Sequence, residues 1–215
     1  MSVTTIVLIR HGETAWNAER RLQGHLDIPL NAVGLRQARA LAAALATDTV
    51  EAIYASDLAR AWQTAQALAD VHQLPVQRDA ALRERCFGGF EGLLYAEIET
   101  RFPRQFAAWQ ARQVDAAMPA GARAAETFRQ FYQRCTGAIA AIAARHPRQA
   151  IAIVAHGGVL ECAYRAALGL SLETARDFPV LNASINRFAF SGGKLALLSW
   201  GEVGHLQRRV LDELS

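Results

Sequence analysis

The feature that most constrains this chain is a repeated junction, an apolar run that stops on a histidine followed at once by glycine. It occurs in "IVLIRHG", residues 6–12, and again in "AIAIVAHGG", residues 150–158. Continuous β-branched runs of this kind read as strands covered on both faces, the mark of a mainly parallel sheet. Ligands of such sheets gather beyond the carboxyl ends of the strands. His11 and His156 stand at two such ends, and the adjoining glycine lets backbone approach a ligand closely. A helix N-terminus following it adds N–H groups and a partial positive charge suited to a phosphate or carboxylate. Alone, each histidine reads equally well as a satisfied structural residue. The paired placement favours chemistry.

The rest of the pattern alternates. "LRQARALAAAL" from Leu35 has helical spacing, with Asn31 as its cap, and is followed by a short strand, "VEAIYAS". Ser56 is expected to cap a second helix, "DLARAWQTAQALADVH", and a short "LPVQ" strand comes next. Residues 83–92 read as loop, residues 95–117 as helix broken by Pro103, and "PAGARAA" from Pro119 as loop before a long helix ending near His146 and Pro147. A helix begins near Val159, and "SINRFAFSGGKLALLSW" reads as two strands joined by a Gly-Gly turn. With no repeat and no linker, the expectation is one α/β domain over residues 1–215, a mainly parallel sheet flanked by helices, with a helical lid insertion over about 90–125.

Composition narrows the function. A chain of 215 residues buries roughly 70% of its unfolded surface, enough for a core without metals or disulfides. The net charge is +3, nearly all basic residues are arginine and Lys194 is the only lysine, a spread that argues against a nucleic-acid surface and fits a small anionic substrate or no charged partner at all. No run is long enough to span a membrane. Cys86, Cys135 and Cys162 are widely spaced without a C-x-x-C pair, which argues against a disulfide framework and for a reducing, cytoplasmic compartment. No signal peptide is read at the N-terminus. Neither H-x-H nor H-E-x-x-H occurs, so no metal is expected, and no Walker loop is present.

The segment "LIRHGETAWN" resembles the signature of the histidine phosphatase superfamily, which includes the phosphoglycerate mutases. "QGHLDIPLN" from Gln23, "ASDLARAWQTA" from Ala55, "LRERCFGGFEG" from Leu82 and "AHGG" from Ala155 follow in the family's order. The resemblance implies a phosphoglycerate mutase-like fold and assigns roles. His11 would be the nucleophile, forming phosphohistidine, with Arg10 and Arg60 clamping the phosphoryl oxygens. His156 would donate to the transferring group, and Glu84 would serve as general acid and then base. Asn17, Gln23, Gly24 and Gly157 would bind substrate, and no cofactor is implied. Outside this context Arg60 reads as a solvated helix charge and Glu84 as a surface partner of its flanking arginines. Cys86 and His25 read as packing or rim residues.

The same pocket serves hydrolysis or phosphate shuttling. Where mutases carry G-W, E-R-H-Y-G and H-G-N, this chain has "QGH", "ERCFGG" and "HGG", and the segment after Glu84 is compact. "FGGFEG" is similar to the phosphatase branch. The expected function is therefore hydrolysis of a small phosphorylated metabolite. The alternative is a 2,3-bisphosphoglycerate-dependent mutase; "GEVGHL" and "LDEL" resemble the ends of bacterial proteins bearing a mutase label, so that name would attach to this chain by homology alone. Arg101, Arg104 and Arg112 are candidates for a second anion site. A non-catalytic phospholigand-binding module is the third reading, and homo-oligomerisation is left open. "PAGARAAET" departs from the P-x-G-E-S of phosphatases, with Glu126 and Thr127 as the realigned pair. Phe90, Tyr95, Phe102, Phe106 and Trp109 read either as an apolar lid or as the core of a helical cap.

Overall fold

A computed structural model of the chain describes residues 2–206. The closing "LDEL" lies outside the described residues. The strands are β1 (Thr4–Arg10), β2 (Ala52–Ala55), β3 (Val76–Arg78), β4 (Ala150–Ala155), β5 (Ile185–Ser191) and β6 (Lys194–Glu202). They form one sheet in the order β3-β2-β4-β1-β5-β6. The first four pair in parallel, and β5 alone runs against them, pairing antiparallel with both β1 and β6, so the sheet is mixed and mostly parallel, as the alternating pattern predicts. In the β1 and β4 pair, Arg10 lies opposite Ala155. The residues that follow, His11 and His156, therefore leave the sheet side by side at its centre.

The helices are α1 (Ala15–Glu19), α2 (Ala32–Ala44), α3 (Ala59–His72), α4 (Tyr95–Arg101), α5 (Pro103–Gln110), α6 (Phe128–Ala144) and α7 (Gly157–Leu168). Strand periodicity divides the core between the two faces of the sheet. Ile6, Leu8, Ile151 and Ile153 face α6 and α7, against Phe131, Ile139 and Leu160. Val7, Ile9, Ala152 and Val154 face the other way, onto Leu41 of α2 and Ala61, Ala65 and Leu68 of α3. Full burial of each such Ile or Leu contributes about 1.5–3 kcal/mol. The small residues on α3 let it lie close to the strands that carry the histidines.

A third cluster joins Leu22, Phe87, Phe90 and Ile98, with Phe102, Phe106 and Trp109 packed against it. The aromatic residues of this segment thus build the core under α4 and α5. Phe90 is fully buried and Trp109 meets it at 5.7 Å between ring centroids.

Several boundaries differ from the sequence expectation. Ser56 is not the cap of α3, which starts at Ala59 after Leu58 with no side-chain cap from Leu58 itself. The orphan N–H of Ala59 instead donates to Asp27 Oδ1 (2.6 Å), a residue far away in sequence. The helical pattern over 95–117 stops at Gln110, and Arg112 takes a left-handed φ of 53° just beyond it. Helix α7 begins at Gly157, directly after His156. Helix α1 went unread; Thr14 and Asn17 form a capping box around it. The Gly-Gly turn is as expected, with φ of 58° and 77° at Gly192 and Gly193, as a two-residue hairpin of this hand requires.

Candidate active site

The site is built at the ends of β1 and β4. His11 is buried, and its Nδ1 lies 2.7 Å from the carbonyl oxygen of Gly12. A carbonyl only accepts, so Nδ1 carries the proton and Nε2 carries the ring's lone pair. Burial, reinforced by the Arg60 and Arg10 cations, holds the His11 pKa well below the ordinary imidazole range. The neutral tautomer that a nucleophile needs is the one this environment favours. The loop beyond is pinned: the Gly12 N–H donates to Thr64 Oγ1 (3.1 Å) and the Glu13 N–H to Gln37 Oε1 (2.8 Å). Gly12 packs so closely on Gly34 that a Cβ there would stand 2.6 Å from the Gly34 oxygen.

His156 meets His11 edge to face, with ring centroids 5.2 Å apart. It is fully buried, and neither ring nitrogen has a hydrogen-bond partner among the described residues. Such a group waits for an acceptor. Burial first, then Arg60 and His11, keep it neutral, with a pKa well below the ordinary range. Arg10 and Arg60 are both almost completely buried. Arg10 Nη1 donates to the Val180 carbonyl. Arg60 donates through Nη1 to Leu26 O (2.9 Å) and through Nη2 to Gly24 O (2.8 Å). Its reading as a solvated helix charge is therefore corrected. These two cations and His11 line one small pocket with Gln23, Gly24, Glu84 and Gly157.

Glu84 lines that pocket together with His11, whereas His156 packs on the His11 ring without being part of the lining, and Glu84 forms an ion pair with neither flanking arginine. Its Oε1 accepts the Arg85 N–H (2.8 Å) and its Oε2 accepts the Gly158 N–H (2.9 Å) in the first turn of α7. The group that meets an N–H of this helix N-terminus is thus the protein's own carboxyl, where the sequence suggested a ligand. Arg83 is instead engaged bidentately by Asp57, at 2.7 and 2.6 Å.

Three residues hold Glu84 in place; sequence reasoning missed Arg134 and Glu91 and named Glu126 only as part of a realigned motif, not in this role. Arg134 binds Glu126 bidentately, both contacts at 2.6 Å, and reaches the carbonyls of Ala81 (2.8 Å), Arg83 (2.9 Å) and Glu84 (3.1 Å). Glu126 also accepts the Cys86 N–H (3.0 Å). Burial alone would raise its pKa, but Arg134 and the Cys86 amide outweigh that and hold it low. Glu91 Oε1 accepts the amides of His25 (2.9 Å) and Phe87 (3.0 Å), tying the Gln23–His25 loop to the segment after Glu84. Gly24 has φ of 53° and abuts Glu91, so a side chain at Gly24 would strike it. His25 Nε2 donates to Glu84 O (2.7 Å), a rim position as expected.

Asn17 lies behind His11 and does not line the pocket itself. Its Oδ1 accepts from Thr14 N (2.7 Å), and its Nδ2 is buried with no partner among the described residues. Asn182, also missed, donates to His11 O (3.1 Å), and the Ala183 N–H reaches the same oxygen (3.1 Å). Ala183 adopts φ of 53°, a left-handed conformation for a residue with a Cβ. Of the proposed second-anion arginines, Arg112 lines a larger cavity beside Glu84, whereas Arg101 and Arg104 are exposed and line neither pocket. Thr127 caps α6 through the Gln130 N–H (3.2 Å), and Glu126 serves the cradle just described. Among the described residues no three His, Cys, Asp or Glu side chains converge as a metal site would need, and no helix is long and apolar enough to cross a membrane.

Comparison with known proteins agrees with this architecture. The family model of the histidine phosphatase superfamily (branch 1) matches residues 6–203. Phosphoglycerate mutase-like protein 4 of Arabidopsis thaliana is 39% identical over 94% of this chain and 86% of its own length. The metal-independent phosphoserine phosphatase of the same plant is 38% identical over 95% of this chain and 84% of its own. Among solved structures, Bacillus stearothermophilus YhfR superposes with a TM-score of 0.85 at 34% identity, covering 94% of this chain and 98% of that one. Two buried histidines at adjacent strand ends, two buried arginines and a facing carboxylate occur here in a chain matched along nearly its whole described length. It belongs to branch 1 of the histidine phosphatase superfamily.

Proposed function

We propose that this protein is a phosphatase that hydrolyses small phosphomonoesters through a phosphohistidine on His11. The observation that carries this reading is the His11 tautomer, fixed by the Gly12 carbonyl so that Nε2 offers its lone pair inside a pocket walled by two buried cations. Nε2 attacks phosphorus in line as the bond to the leaving oxygen breaks, and Glu84 gives that oxygen its proton. Arg10 and Arg60 balance the charge spread over the equatorial oxygens, and a ring N–H of His156 donates to one of them. Glu84, now a carboxylate, takes a proton from water as the water oxygen attacks phosphorus. The N–P bond then breaks, inorganic phosphate departs, and both His11 and Glu84 return to their starting states.

Phosphorus NMR of the protein with an aryl phosphate, and separately with 3-phosphoglycerate with and without 2,3-bisphosphoglycerate, tests this directly. Rapid release of inorganic phosphate that is lost in His11→Ala is the expected result. Formation of 2-phosphoglycerate dependent on the bisphosphate would overturn hydrolysis in favour of the mutase reading. Unchanged turnover in His11→Ala would remove His11 from the reaction.

A further inference from the structure

The lone pair of His11 depends on one acceptor, the carbonyl oxygen of Gly12, 2.7 Å from Nδ1. In water a histidine ring favours its proton on Nε2, and in a protein the hydrogen bonds around the ring decide which nitrogen carries it. Nε2 is the nitrogen that must stay bare to attack phosphorus, so Gly12 O has to remain aimed at Nδ1. Gly12 cannot ensure this itself, because without a Cβ its own torsions are weakly restrained.

That oxygen belongs to the peptide unit joining Gly12 to Glu13, a planar trans group whose C=O and N–H point to opposite sides. On the far side its N–H donates to Gln37 Oε1 at 2.8 Å. A main-chain N–H only donates, so the oxygen of the Gln37 amide is the atom that faces it. Ring, peptide and side-chain amide thus make one chain of hydrogen bonds, from His11 Nδ1 to Gly12 O and from Glu13 N to Gln37 Oε1. An acceptor on the N–H also polarises the peptide and strengthens its oxygen as an acceptor. The preceding peptide is held from elsewhere, its N–H by Thr64 Oγ1 and its oxygen by Asn182 and Ala183.

Helix α2 is docked so as to deliver that amide. Asn31 caps the helix through the Gly34 N–H (2.8 Å) and also binds Glu13, its own N–H to the Glu13 carbonyl (3.0 Å) and its Nδ2 to Glu13 Oε1 (2.8 Å). Gly34 lies so close that a Cβ there would stand 2.0 Å from the Glu13 oxygen. Gln37 follows one turn later on the same face; it is 7% exposed and does not line the phosphate pocket. Burying an amide is costly unless it is hydrogen-bonded, and the Glu13 N–H is its use. Resting on the reading of His11 as the nucleophile, we infer that Gln37 is a positioning residue for the reaction: it holds the Gly12–Glu13 peptide so that Gly12 O keeps the His11 proton on Nδ1 and leaves Nε2 bare. Its contribution belongs to the rate of attack on phosphorus and not to the binding of the ester.

The test reads the ring directly. Protein carrying heavy nitrogen in its histidines shows the two ring nitrogens of His11 in long-range proton–nitrogen correlation spectra, assigned by their loss in His11→Ala. Wild-type protein should show a protonated Nδ1 and a bare Nε2. Gln37→Met keeps the length of the side chain and removes the acceptor, so the two nitrogen shifts should move toward each other as the second tautomer is populated. Removing a group that fixes the tautomer of a working histidine costs roughly ten- to a hundredfold, so kcat for an aryl phosphate should fall by at least about tenfold with KM within about twofold. Gln37→Glu, which restores an acceptor oxygen at the same reach, should return the wild-type pattern of shifts and most of the rate. Wild-type shifts in Gln37→Met would overturn the assignment whatever the rate does, and so would altered shifts with an unchanged kcat, or Gln37→Glu behaving as Gln37→Met. If Gln37→Met fails to fold, Gln37→Glu carries the test alone: a carboxylate is the stronger acceptor and should move the Nδ1 proton resonance downfield, and an unmoved resonance would overturn the assignment. If the wild-type protein hydrolyses no ester, the phosphatase reading fails, and the ring shifts still decide whether Gln37 sets the tautomer.

Discussion

The Gly158 N–H donates to Glu84 Oε2 at 2.9 Å, and a Cβ built on Gly158 would fall inside contact distance of Glu84 Oε1. The same Cβ would also stand 2.9 Å from Phe131 Cε1, which leaves it no room on the core side. Gly158→Ala must therefore push the carboxylate away from the leaving oxygen. Displacement of a reacting group by about 1 Å costs on the order of a hundredfold, so kcat should fall by about that factor, and the crowding of Phe131 should lower the melting temperature as well. The asparagine that mutases carry after H-G would disturb Glu84 at least as much. Steady-state kinetics beside a thermal melt checks both variants, and full activity in Gly158→Ala would show that Glu84 tolerates displacement.

Acid should destabilise the free protein through its two buried histidines. His11 and His156 both have folded pKa values well below the ordinary 6.5, so below that pH the unfolded chain binds protons that the folded chain refuses. Stability is fully present above about pH 6.5 and falls as pH drops beneath it, by up to about 1.4 kcal/mol per pH unit for each histidine. Urea midpoints measured between about pH 5 and 7 should show this slope, reduced in His11→Ala and in His156→Asn. An unchanged slope in both variants would place the proton uptake elsewhere.

Arg134→Met should act at a distance from the phosphate. It removes the bidentate partner of Glu126 and three carbonyl contacts along residues 81–84. The pair is partly exposed, so the expected loss is about 2 kcal/mol in urea unfolding, well short of a fully buried pair. Because the same contacts fix the backbone of Glu84, kcat should fall while KM changes little. Equal losses for esters with good and poor leaving groups would argue against an effect through the acid.

Asp27→Ala tests the cap supplied from outside α3. Loss of its bond to the Ala59 N–H should cost about 1 kcal/mol, the usual value of a helix N-cap. Arg60 sits in the first turn of that helix and grips Leu26 and Gly24, so a rise in KM for any phosphate ester should accompany the destabilisation. A stability change with KM untouched would separate the cap from the clamp.

What the sequence made legible follows from how local each signal is. His11 and His156 could be found because each ends an apolar run, and Glu84 and Arg60 because they fall inside short ordered motifs. Arg134 could not, and Glu126 surfaced only as a realigned motif residue without its role, since they act on carbonyls and amides some fifty and forty residues away. Glu91 lay in plain view inside "FGGFEG", yet its partners are backbone amides, which no side-chain pattern announces. Ser56 was a reasonable cap by residue type; the competing acceptor, Asp27, comes from a loop whose path depends on tertiary packing.

Strand β1 is synthesised first but lies in the middle of the sheet, between β4 and β5. The oxygen of His11 is bound by Asn182, 171 residues later, and by Ala183. His11 therefore has neither of its strand's neighbours nor the loop behind it until the residues through β5 have been made. Sheet pairing at such sequence separation is slow, and it exposes an apolar strand while it waits. Nascent or truncated chains that stop short of residue 180 should be catalytically silent and prone to capture by chaperones, so that phosphate chemistry waits on the segment that closes the sheet beside β1.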